Sequence, residues 1–118
     1  MKLRQRYLAV QFVTKDSIPS EEKFRRHLWT QLQNLYGELG VSKIGFWVVI
    51  YHPESKATVI RCQHDQVRAL RAALATITQI DSTHFILHVV GVSGTIRKVK
   101  AFIPGLEAYK NPKRPKRH

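Results

Sequence analysis

Apolar and polar residues alternate at the start of the chain. From Arg6 to Val13, Leu8, Val10 and Phe12 fall on one side and Tyr7, Ala9 and Gln11 on the other. A period of two predicts a strand. The stretch from Asp16 to Ser20, with Pro19 inside it, reads as a turn. The period then lengthens. Phe24, Leu28, Leu32, Leu35 and Leu39 recur at helical spacing. Ser20 stands where an N-cap belongs, Glu21 and Glu22 suit the first turn, and Gly40 predicts the end. From Val41 to His52 both faces are apolar, with Ile44, Phe46, Val48 and Ile50 on one and Trp47, Val49 and Tyr51 on the other. That predicts a long central strand. His52-Pro53-Glu54-Ser55-Lys56 predicts a hairpin loop, and the return strand runs from Ala57 to Cys62. A second helix is expected over about 64–79, with Val67, Leu70, Leu74 and Ile77 inward and Arg68 and Arg71 in water. A fourth strand over about 84–90 and a third helix over about 95–103 complete the order, and Pro104 and Gly105 close that helix.

Strand, helix, hairpin, helix, strand is the order of a ferredoxin-like α+β sandwich: βαββαβ, a four-stranded antiparallel sheet with two helices on one face. Here an extra C-terminal helix follows. The second face of the sheet then needs a cover. Trp47, Val49 and Tyr51, or their alternates on the same strand, look out there, and an apolar surface of that size implies that something covers it. Ile96, Val99, Phe102 and Ile103 of the third helix are expected to cover part of it. A protein or stacked nucleobases would cover the rest.

Length and charge narrow the function. The 118 residues suit one domain, expected over 1–110. Residues 111–118 hold no apolar side chain except proline and are expected to form a disordered basic tail. Twenty Lys and Arg against eight acids give a formal charge of +12. From Gly94 onward there are eight Lys and Arg and one acid, Glu107. Such an excess favours polyanions, nucleic acid first. No apolar run approaches the ~20 residues of a membrane-spanning helix, and the basic N-terminus is not a signal peptide. Cys62 is the only cysteine, which excludes an internal disulfide and a cysteine metal cluster and fits a reducing, cytoplasmic setting.

Gly91-Val92-Ser93-Gly94-Thr95-Ile96-Arg97-Lys98-Val99-Lys100 is the most suggestive stretch. Glycines let backbone N–H groups approach a phosphate, and Arg97, Lys98 and Lys100 would add charge. The same residues also make an ordinary turn with a threonine or serine cap. Lys43 to Tyr51 invites comparison with an RNA-recognition strand, but Phe46 and Trp47 are adjacent and point to opposite faces. Core or protein-interface packing is the stronger reading. His64-Asp65 lacks further ligands at useful spacing, and Asp65 reads as a first-turn acid of the second helix. No paired carboxylates, nucleophile elbow or P-loop occurs. No catalytic or metal residue is assigned to this polypeptide.

Arg6-Tyr7-Leu8, Gly37-Glu38-Leu39-Gly40, Ile60-Arg61-Cys62, Arg68 to Leu74 and, above all, Val90-Gly91-Val92-Ser93-Gly94-Thr95-Ile96-Arg97 together resemble the Pop-family small protein subunits of archaeal ribonuclease P. The resemblance spans about Arg6 to Phe102. It implies a ferredoxin-like subunit of a ribonucleoprotein endonuclease that removes the 5′ leader of precursor tRNA. In that family the RNA carries the Mg²⁺-dependent chemistry, and the protein binds the RNA and raises its rate. The resemblance also implies a larger, barrel-like protein partner and self-association into a tetramer of two plus two. On this basis Ser93, Gly94, Thr95, Arg97, Lys98 and Lys100 are expected to grip RNA phosphates, with Arg68, Arg71, Lys113 and Arg114 in support. Phe46, Trp47, Val49 and Tyr51 are expected to dock protein. No cofactor is expected on the protein itself. The competing readings are a stand-alone single-stranded RNA module, a metal-dependent nuclease and a membrane-surface protein.

Overall fold

Alternation places Leu8, Val10 and Phe12 on one side of β1 (Gln5–Val13), and all three are buried. A computed structural model describes residues 4–106 of the chain. After β1 come α1 (Glu21–Ile44), β2 (Trp47–His52), β3 (Ala57–Gln63) and α2 (Val67–Thr76). The short strands β4 (Gln79–Ile80) and β5 (Thr83–His84) form a small hairpin, and β6 (Ile86–Ser93) and α3 (Ile96–Lys100) complete the order. The main sheet is antiparallel in the order β2-β3-β1-β6, the ferredoxin-like arrangement.

The sheet separates two apolar layers. Helices α1 and α2 cover one face through Phe24, Leu28, Leu32, Leu70, Ala73 and Leu74. Phe12 sits at the centre of that layer, with ring centroids 5.3 Å from Phe24, 5.1 Å from Phe85 and 6.0 Å from Tyr51. All three pairs are edge-to-face, which suits the ring quadrupoles. The other face carries Ala9, Val49, Ile50, Ala57 and Val59, and Val99, Ile103 and Leu106 close over it. The C-terminal segment therefore supplies the expected cover. Phe102 is the exception, being 45% exposed.

The first helix differs from its sequence reading. Ser20 caps it as expected, its Oγ accepting from the Lys23 N–H at 3.3 Å. The apolar stripe stops contributing after Leu32: Leu35 and Leu39 are exposed. Gly37, at φ 72° and ψ 178°, breaks the helical path there. The chain then resumes helical turns, so 41–44 is helix rather than strand. Val41 and Ile44 lie three residues apart and both pack on the helix-side core. Gly45, at φ 56°, ends the helix in the left-handed conformation, and its N–H donates to the Val41 carbonyl at 3.1 Å.

The second strand departs from strict alternation. Val48 pairs with Ile60 and Ile50 with Val59, so Val49 is an extra residue. A bulge of one residue turns every later side chain to the opposite face. Ile50 therefore joins Val49 under α3, and Tyr51 turns into the helix-side core. The second helix is also shorter than expected. Residues 64–66 form a single 3₁₀ turn, and 77–79 leave the helix, although Ile77 remains buried. The last strand begins at Ile86 and extends through Ser93. The expected tail at 111–118, with Lys113 and Arg114, lies outside the described residues.

Candidate nucleic-acid interface

The strand β6 hands the chain to α3 through Ser93, Gly94 and Thr95. Both hydroxyls are used locally. Ser93 Oγ accepts from the Thr95 N–H at 3.2 Å, and Thr95 Oγ1 accepts from the Lys98 N–H at 3.2 Å. Thr95 is thus the N-cap of α3. Arg97 and Lys98 project into solvent, while Lys100 is half-buried and Val99 points into the sheet. Among the described residues neither Arg97 nor Lys98 forms an ion pair. Their charge is therefore available to an external anion.

The two glycines do different work from the one the sequence suggests. Gly91 lies inside β6 opposite Ala9. A Cβ on it would stand 2.5 Å from the Phe102 ring, so the missing side chain is what seats Phe102. Gly94 is exposed, and neither it nor Gly91 has a positive φ. The turn is a hydroxyl-stapled cap that aims a short cationic helix.

Arg68 and Arg71 do not join that cluster. They are exposed on α2, and α2 packs on the sheet face opposite α3. The two cationic elements occupy different layers, and a ligand touching both must pass round a sheet edge. Order along the chain gives no warning of this.

The expected protein-docking residues also divide. Val49 is 2% exposed beneath α3, and Tyr51 is 8% exposed in the other core. The bulge at Val49 puts Tyr51 on the face opposite Trp47, so neither Val49 nor Tyr51 presents a docking surface in the protomer. Burial, with Glu21 adding to it, pushes the Tyr51 hydroxyl pKa up, and the hydroxyl donates to the Pro19 carbonyl at 2.5 Å. Phe46 and Trp47 remain half-buried and line a cleft of about 500 Å³ with Arg25, Arg26, Trp29 and Val41. Trp29 is nearly half exposed, and the helical stripe does not point to it because it lies beside that stripe rather than on it.

A further row crosses the sheet beside the α3 cover. Ser93, Tyr7, Arg61 and Trp47 are consecutive cross-strand partners. Tyr7 and Trp47 pack against the edge of the α3-side core, and all four residues are half-buried. The neighbouring row, Gly91, Ala9, Val59 and Ile50, lies largely under α3. Arg61 Nε and Trp47 Nε1 are buried with no hydrogen-bond acceptor among the described residues. Arg6 Nη1 is also close, 3.6 Å from where a Gly94 Cβ would stand. Only tertiary pairing brings these residues together, which is why periodicity along the sequence does not select Tyr7 and Arg61 as a pair.

Cys62 is buried, and burial, with Asp65 adding to it, pushes its thiol pKa up to about 11. That disfavours the thiolate a nucleophile needs. His64 and Asp65 sit on the exposed 3₁₀ turn before α2, and among the described residues no group of three His, Cys, Asp or Glu is placed to hold a metal ion. No helix among them is long and apolar enough to cross a membrane.

Comparison with known proteins gives a consistent result. The family model described as Rpp14/Pop5 matches residues 6–104. The chain is 31% identical over 97 residues to "Ribonuclease P protein component 2" of Pyrococcus abyssi, covering 82% of this chain and 81% of that one. It is 37% identical over 100 residues to the protein of the same name from Natronomonas pharaonis, covering 82% of this chain and 62% of that one. A chain of the cryo-EM structure of yeast ribonuclease MRP superposes with a TM-score of 0.64 at 16% identity, covering 82% of this chain and 79% of that chain. At that identity the likeness concerns the fold.

Proposed function

Because the chain belongs to the Rpp14/Pop5 family, we propose that it is a non-catalytic protein subunit of ribonuclease P. In this reading it binds the catalytic RNA and promotes removal of the 5′ leader from precursor tRNA. Mg²⁺ belongs to the RNA active site, and the protein's part is to neutralise and position. The observation that carries the reading is the family match across residues 6–104, the whole sandwich and α3. The formal charge of +12 and the outward Arg97 and Lys98 agree with it.

Arg97 and Lys98 are the first phosphate contacts in this proposal, with Arg68 and Arg71 serving a different strand of a folded RNA. The cleft of Trp29, Val41 and Phe46 takes an apolar side chain of a larger protein subunit, and pairs of such subunits form a two-plus-two assembly. A cytoplasmic setting accompanies this role. The test is RNA binding by the Arg97→Ala/Lys98→Ala double variant. Removing one cation from a phosphate lowers the slope of log affinity against log salt by about 0.7–0.9. The expected result is weaker binding with a slope lower by about 1–2 and an unchanged melting temperature. Unaltered affinity and slope contradict the phosphate role of α3.

A further inference from the structure

We propose that the strip of sheet beside the α3 cover is a separate contact for single-stranded RNA, in which unpaired bases stack on Tyr7 and on Trp47 and a phosphate between them engages Arg61. The inference rests on the reading of the chain as an RNA-binding subunit and adds a site that the cationic helix does not include.

Three observations converge on this strip. The first is where the cover stops. Ala9, Val59 and Ile50 are buried beneath the C-terminal segment, and one row further on Tyr7, Arg61 and Trp47 are only half-buried. The second is the order of side chains across β1, β3 and β2: aromatic, guanidinium, aromatic. Strands lie about 4.8 Å apart, so the two aromatic residues stand about 10 Å apart with Arg61 between them. That row offers a base a stacking surface and a phosphate a planar fork of donors. The third is the pair of orphaned donors, Arg61 Nε and Trp47 Nε1. Buried donors in folded proteins are rarely left without acceptors, and each such case calls for an explanation. A nucleotide laid along the row brings acceptors to both after a small rotation of the two side chains.

The charge around the strip selects a polyanion over a protein segment. Arg6 Nη1 reaches the Gly94 end of the row, 3.6 Å from where a Gly94 Cβ would stand, and Arg97 and Lys98 follow Ser93 on the next element. Asp65, on the turn after β3, is the acid nearest in sequence, and Glu22, which lines the cleft beside Trp47, is paired with Arg26. A duplex is the wrong shape, because its bases are already stacked and its readable surface is shallow. An unpaired loop or strand has free ring faces. Phe46 is not part of this surface, since it packs on the helix side.

Trp29 and Trp47 are the two tryptophans, so Trp29→Phe leaves Trp47 as the sole indole reporter in the full-length chain. The experiment titrates that variant with a short oligouridylate and with an RNA duplex of equal length, reading both Trp47 fluorescence and the anisotropy of labelled RNA. The expected result is saturable quenching of Trp47 by the single strand and much weaker quenching by the duplex. Removing one stacking ring or the guanidinium fork weakens binding about fivefold or more, so Tyr7→Leu and Arg61→Gln are each expected to do so with unchanged circular dichroism. Arg61→Lys keeps the charge, loses the fork, and is expected to stay weak. Single-strand binding by anisotropy without quenching overturns the strip as a site and leaves the RNA-subunit reading standing on α3. Equal quenching by duplex, full affinity in Arg61→Lys, or no oligouridylate binding also overturns it. Stimulation of precursor-tRNA cleavage tests the subunit reading independently of all these outcomes.

Discussion

Tyr51 shows how one side chain can change roles between the sequence and the fold. Alternation groups it with Trp47 on an outer face, but the bulge at Val49 turns it inward against Phe12 and Phe24. Its hydroxyl holds Pro19 just before the cap of α1. Tyr51→Phe leaves that carbonyl without its donor, and the expected loss is about 1–2 kcal/mol by urea denaturation, with RNA binding unchanged. Cys62 gives a prediction about pH. Its thiol rises from an ordinary value of 9.0 to about 11 in the fold. An acid whose folded pKa is raised releases its proton first in the unfolded chain, so its contribution weakens stability as pH climbs above 9 and levels off near 11. Tyr51 shifts in the same direction. Melting temperature is therefore expected to fall over this alkaline range, with a smaller fall in Cys62→Ala. The native thiol should also resist a disulfide reagent that reacts at once in denaturant.

At the scale of elements, the seating of α3 depends on Gly91. The cap at Thr95 sets where the helix starts, and Phe102 over Gly91 fixes where its last turn lands. Gly91→Ala puts a methyl group 2.5 Å from the Phe102 ring, so the ring and the end of the segment must move. Overpacking of this kind costs about 1–3 kcal/mol. Phe102→Ala makes room, so the double variant should be more stable than the sum of the two single losses implies, as a double-mutant cycle would read. Sequence and structure agree on these elements where period and solvent agree. The strand of Leu8, Val10 and Phe12, the helix stripe from Phe24 to Leu32, and the apolar cover of Val99 and Ile103 are legible because each side chain's environment follows its own period. The bulge in β2 is not, because pairing with β3 decides it. The helical turns at 41–44 pass for strand because Val41 and Ile44 suit a strand by composition, and only the cap at Gly45 reveals the helix. Gly91 reads as a phosphate loop because a glycine that admits a ring and one that admits an anion look the same in a sequence.

The whole molecule is a two-sided sandwich with its cations on both sides. Net charge and family resemblance are legible in the sequence, while the division of Arg68 and Arg71 from Arg97 and Lys98 by the sheet is not. That division has a functional consequence in the proposed role. A protein carrying cations on opposite layers can bridge two strands of a folded RNA, and each phosphate it neutralises replaces screening otherwise drawn from Mg²⁺. The protein should therefore matter most when Mg²⁺ is scarce. The direct measurement is cleavage of precursor tRNA by the cognate ribonuclease P RNA with its other protein subunits, with and without this chain, across a Mg²⁺ series. Adding the chain is expected to raise the cleavage rate at low Mg²⁺, the gain to shrink as Mg²⁺ rises, and the chain alone to cleave nothing. A rate indifferent to the chain at every Mg²⁺ concentration, or cleavage by the purified chain without RNA, contradicts the proposed role.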